Sequence, residues 1–137
     1  MKVFTLRFRQ FIVVALLLTV IFRYVLNLSI GEESLSMVIL CAFIYFCMMF
    51  ICGWYFGKKD AVENGVYDIG FRYHAATYLV CIGISYVSYY VGWNAESLWS
   101  VSITALSWGI GLLVHLIVFL FGQRRTIKGY AKDEIFD

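Results

Sequence analysis

The sequence contains no proline. No helix in it is kinked by a missing backbone donor, so long unbroken helices are the expectation. Charge is also scarce, at 15% of residues, against about 25% in an average soluble domain. The four cysteines, Cys41, Cys47, Cys52 and Cys81, form no Cys-x-x-Cys pair. All four fall inside apolar runs, where cysteine behaves as a small hydrophobe, and they point to no disulfide and no metal site. There is no Ser/His/Asp set, no Gly-rich phosphate loop, no His-Glu-x-x-His and no carboxylate inside an apolar run. Intramembrane hydrolysis and phosphoryl transfer need such groups placed together, so the chain reads as non-enzymatic and without a cofactor. Its basic residues sit beside apolar runs and form no patch suited to nucleic acid.

What is present is hydrophobic, at 62% of residues. Four apolar runs, 11–28, 35–56, 71–91 and 98–121, approach or exceed the roughly 20 residues needed to cross a bilayer. Too little chain is left for a separate soluble domain. The first run contains Arg23 and no small-residue cleavage site follows it, unlike a removable signal peptide. The expected fold is an all-α integral membrane protein, a single four-transmembrane-helix bundle with a tail at 122–137.

Of the eleven Lys and Arg, all but Arg23 lie in the N-terminus, the connector after the second run, or the tail. The other two connectors hold acids and no base: Glu32 and Glu33 in one, Glu96 in the other. Basic residues collect on the cytoplasmic side, so both termini are expected there. Arg23 is placed near the outer end of the first helix. It is expected to snorkel to the external rim with Glu33 and Glu96; the functional alternative pairs it with Glu33 or Glu96 in a site for an anionic group. In the connector at 61–72, Asp68 and Arg72 are four apart and would pair on a helix surface.

The third and fourth runs form the centre of this reading, an antiparallel hairpin around the turn 92–97. His74, Thr77, Cys81, Ser85, Ser88 and Gly92 recur at spacings of three or four on the third helix. Ser100, Thr104, Ser107, Gly111 and His115 do the same on the fourth. Each set is one helix face. Small residues let helices approach closely in lipid, and hydroxyls bond across the gap, so the two stripes are expected to face each other or the bundle interior. Gly53 and Gly57 form a G-x-x-x-G at the end of the second helix and invite another close contact. Positions 74 and 115 are equally far from the turn, which puts the two imidazoles at one depth. Three readings of that pair are open: neutral polar glue between helices, a proton-sensitive element, or bis-His ligation of a b-type haem or a metal.

The run Gly70-Phe71-Arg72-Tyr73-His74, with Tyr78 one turn later, is followed by Leu98-Trp99 and by Ser107-Trp108-Gly109-Ile110-Gly111-Leu112-Leu113-Val114-His115. Over about residues 68–121 this resembles the two-transmembrane-helix domain of bacterial membrane proteins. Its most specific piece runs from Trp108 to His115. Position 82 is Ile, where that family often has Asn. The resemblance implies a hairpin module in a bacterial inner membrane, occurring alone or beside regulatory modules, with no established reaction.

Together these features favour an accessory, assembly or regulatory subunit of the inner membrane. It would act by helix packing against lipid, a second copy or another membrane protein. The alternatives are a small dimeric transporter or flippase-like protein, and a haem- or metal-carrying electron-transfer subunit.

Overall fold

A computed structural model describes residues 4–64 and 70–129, with the side chains of 122–129 left out. The described residues are all-helical: α1 (Leu6–Gly31), α2 (Leu35–Asn64), α3 (Phe71–Tyr90) and α4 (Leu98–Gly129). Three of these, α1, α2 and the Leu98–Phe121 part of α4, are long and apolar enough to cross a membrane. α3 is the exception in composition, carrying Arg72, His74 and several hydroxyls.

The helices outrun the apolar runs that announce them. α1 starts at Leu6, where the Thr5 hydroxyl accepts a bond from the Phe8 N–H at 3.1 Å. That is an N-cap, and it satisfies a donor the helix leaves open. α2 continues past residue 56 through Gly57-Lys58-Lys59-Asp60 to Asn64. A charged stretch ends the apolar run without ending the helix, because Lys and Asp do not break the backbone ladder as proline does. α4 likewise runs to Gly129, so the expected tail at 122–137 begins as helix. At the end of α3, Gly92 has φ +75° and the Trp93 N–H reaches the Ser88 carbonyl at 2.8 Å. This left-handed closure suits glycine and reverses the chain. Ser97 then caps α4, its hydroxyl accepting from the Ser100 N–H at 3.2 Å.

α1 is the hub. It packs against both α2 and α3, and α2 also touches α3. Among the described residues α4 packs against α3 alone, so the expected α3–α4 hairpin sits beside a core in which α1, α2 and α3 all touch. The core cluster is Phe8, Phe11, Ala15, Met49, Tyr73 and Ala76. Tyr73 stands edge-on to Phe11 and Phe8, with ring centroids 4.9 and 5.5 Å apart. Such pairs contribute about 0.5–1.5 kcal/mol each beyond their area.

Gly53 and Gly57 make room for these rings. A Cβ on Gly53 would lie 4.0 Å from Phe11, and one on Gly57 would lie 3.8 Å from Tyr73. The G-x-x-x-G thus serves packing inside the chain, against α1 and α3. An alanine fits at either position, while a long side chain would displace a core ring.

The distribution of polarity is inverted relative to a soluble protein. Thr19, Asp60 and Ser85 are wholly buried, while Phe43, Phe46, Phe50, Ile110 and Val114 are exposed. A lipid solvent favours this arrangement, since polar groups left in hydrocarbon are costly and large apolar side chains are not.

Candidate functional site

Three polar or aromatic assemblies stand out, one at each end of the core and one along the α3–α4 seam. The first is built on Arg23. The buried face of α1 runs through Phe8, Phe11, Ala15, Thr19, Arg23 and Leu26, at the spacing of one helix face. Arg23 therefore points into the core and is 9% exposed. One terminal nitrogen donates to the Glu96 carboxylate and the other to the Ser85 hydroxyl. The Ser85 hydroxyl itself donates to the Cys81 carbonyl at 2.6 Å.

Asn27, one turn beyond Arg23, brackets the same α3–α4 turn. Its amide donates to the Trp93 carbonyl, and its oxygen accepts from the Ala95 N–H at 2.6 Å. Arg23 Nε and Asn94 Nδ2 are buried without a hydrogen-bond partner among the described residues. The snorkelling expected of Arg23 is thus corrected. Two internal acceptors hold the guanidinium inside, and Glu96, not Glu33, is its carboxylate. Glu33 instead occupies the α1–α2 turn with φ +52°.

The second assembly closes the opposite end. Asp60 is wholly buried. Its carboxylate accepts from Arg72 at 2.7 Å, Asn64 at 2.8 Å and the Tyr73 hydroxyl at 3.2 Å. α2 and α3 therefore meet on one carboxylate. Arg7 adds an outer clamp, gripping Glu63 with two bonds of 2.7 and 2.8 Å. Asp68, the expected partner of Arg72, lies outside the described residues; the carboxylate seen on Arg72 belongs to Asp60.

The third assembly is the seam. His74 and His115 meet edge to face, with ring centroids 4.9 Å apart. Phe71 packs against His115 at 5.8 Å and stacks on Phe119 at 5.7 Å. One turn along, Tyr78 stands edge-on to Trp108 at 5.9 Å and donates to the Ala105 carbonyl at 3.2 Å. Tyr86 donates to the Ser102 hydroxyl at 3.2 Å. Two imidazoles in direct ring contact leave no layer for a porphyrin between them. The pair as placed does not fit bis-axial haem ligation.

Of the two small-residue stripes, expected to face each other or the bundle interior, that of α3 turns to the interior and that of α4 does not. On α3, Cys81, Ser85 and Ser88 are buried, and Ser85 is bonded to α1. On α4, Ser100, Thr104, Ser107 and Gly111 are exposed, while Val101 is buried. The seam of α4 instead passes through Val101, Ala105, Trp108 and His115. Its glycine there is Gly109, where a Cβ would lie 3.2 Å from the Tyr78 hydroxyl. Nor do the hydroxyls of Thr77 and Thr104 bridge helices. Each donates to the carbonyl four residues back in its own helix, Tyr73 and Ser100, at 2.9 Å. That self-satisfaction is always open to a helical threonine.

Sequence reasoning did not find Asp60, Asn27, Glu63 or Thr19. Thr19 is wholly buried and lies 2.9 Å from the Tyr45 hydroxyl. The one available signal was the spacing of Thr19, Arg23 and Asn27 at intervals of four along α1. Comparison with protein-family models, curated proteins and solved structures finds no match for this chain.

Proposed function

We propose that this chain is a non-enzymatic, four-span protein of a bacterial inner membrane. It serves as an accessory, assembly or regulatory subunit by packing helix against helix. The observation that carries this reading is the state of α4. Among the described residues the helix rests on α3 alone and turns Ser100, Thr104, Ser107 and Gly111 away from the other helices. Small residues along one face permit a close helix approach in lipid. The occupant of that face is a transmembrane helix, from a second copy or from another membrane protein. The charged groups of both core ends are engaged in internal bonds, which favours a structural role over transport. The hairpin implied by the resemblance over about residues 68–121 accords with this role.

The fourth span in this proposal is α3. Its 20 residues reach about 30 Å at 1.5 Å per residue, the thickness of the hydrocarbon core. Ser85 bonds to α1, Arg72 and Tyr73 bond to α2, and His74, Tyr78 and Tyr86 face α4. Both termini then lie in the cytoplasm, together with Lys58 and Lys59. Single cysteines at Lys58 and Ala95 test this in whole cells with an impermeant thiol reagent, in a background lacking the native cysteines. Labelling is expected at 95 and not at 58; the reverse pattern overturns the orientation.

Gly111→Leu tests the packing face itself. Nothing lies within 4 Å of a Cβ at Gly111, so the chain alone accommodates the change. Affinity purification followed by mass spectrometry is expected to recover a membrane partner or a second tagged copy with wild type, and to lose it with Gly111→Leu. Equal recovery with the variant would sink this reading.

A further inference from the structure

A groove of about 480 Å³ runs between the start of α1 and the end of α2, lined by Arg7, Gln10, Val13, Val14, Tyr55 and Phe56. From Arg7 to Val14 it extends about 10 Å along α1 at 1.5 Å per residue. Its two ends differ in chemistry. Val13, Val14 and Phe56 make the inner part apolar, and Val13, 57% exposed, opens it onto the apolar outer surface of the chain. Arg7 and Gln10 make the outer part polar, bonded to each other at 3.1 Å.

Arg7 is held in place by Glu63, which takes two of its nitrogens. Among the described residues no carboxylate is bound to Lys59. Its Nζ lies 4.7 Å from the Tyr55 ring centroid, at the rim of the groove. Lys58 stacks instead over Trp54, at 5.6 Å. Among the described residues at this end of the core five bases, Arg7, Arg9, Lys58, Lys59 and Arg72, stand against two acids, Asp60 and Glu63. Both acids are already bonded to arginines.

A ligand complementary to this groove has an apolar tail, a negatively charged head, and access from the lipid side. We infer that the groove seats one anionic phospholipid, its acyl chain along Val13, Val14 and Phe56 and its phosphate at Lys59 beside Arg7 and Gln10. The bound lipid spans the α1–α2 junction on the side away from α4. The inference is independent of the helix partner proposed above.

The test uses the purified full chain in detergent micelles carrying equal amounts of phosphatidylglycerol and phosphatidylcholine. Retained lipid is counted by native mass spectrometry. Wild type is expected to retain one phosphatidylglycerol in preference to phosphatidylcholine. Lys59→Gln is expected to reduce that preference roughly fivefold, the factor one lysine contributes near an anionic surface. Lys58→Gln removes the same charge outside the groove and should leave the preference close to wild type. Val14→Phe fills the apolar part and should lower retention of both lipids, with helix content checked by circular dichroism. Equal losses in the two lysine variants would show a diffuse surface potential in place of a seat. That outcome overturns the inference, as does unchanged retention in folded Val14→Phe or no preference in wild type.

Discussion

Asp60→Ala is expected to lower the stability of the folded chain by about 3–5 kcal/mol, the cost of removing one partner from a buried ion pair. Asp60 is wholly buried, and its carboxylate gathers bonds from Arg72, Asn64 and Tyr73. Removing it takes the Asp60 carboxylate from Arg72, whose side chain is 10% exposed, and one acceptor from the Tyr73 hydroxyl, which also reaches the Phe56 carbonyl at 3.2 Å. Asp60→Asn retains the shape and some acceptor capacity, so its cost should be smaller. Unfolding by a denaturing detergent, followed by tryptophan fluorescence, measures both. A loss below about 1 kcal/mol for Asp60→Ala would place the pair among weak surface bridges and contradict the burial.

The second large effect is expected at Arg23. Arg23→Ala should cost about 3 kcal/mol, the low end for a buried pair because Glu96 keeps some exposure. Arg23→Lys tells more about the site. A guanidinium reaches Glu96 and Ser85 with two separate nitrogens, while an ammonium is a single point charge. Lysine should therefore recover only part of the loss. If Arg23 merely snorkelled to the surface, lysine would restore all of it, since both side chains snorkel. A cycle of Arg23→Met, Glu96→Gln and the double change should show coupling of about 0.5–3 kcal/mol, as expected for residues in contact. Strict additivity would rule out the pair.

Hydropathy reveals the number and order of the helices because each crossing must be apolar over most of its length. It misplaces their ends for the same reason. It reports the lipid core, whereas α2 continues to Asn64 wherever its backbone bonds persist. The depth of His74 and His115 is legible because both lie equally far from one tight turn. The inward face of each helix is much less legible. In a soluble helix, polarity marks the outer face. Here α4 is apolar nearly all round, and its Ser100–Gly111 stripe competes with the Val101–Trp108 face that in fact meets α3. The pairs Arg23–Glu96, Asp60–Arg72 and Arg7–Glu63 join residues from different helices or helix ends, so no local spacing announces them.

The modest hydropathy of α3 has a consequence for biogenesis. A segment enters the bilayer from the translocon according to its own transfer free energy, and in the four-span reading proposed above α3 carries an arginine, a histidine and several hydroxyls into that step. The groups that compensate it are already synthesised when it emerges. Arg23 on α1 awaits Ser85, and Asp60 on α2 awaits Arg72 and Tyr73. In that reading the first two helices act as a template for the third. The chain order, two strongly apolar helices before the polar one, matches the order in which those partners are needed.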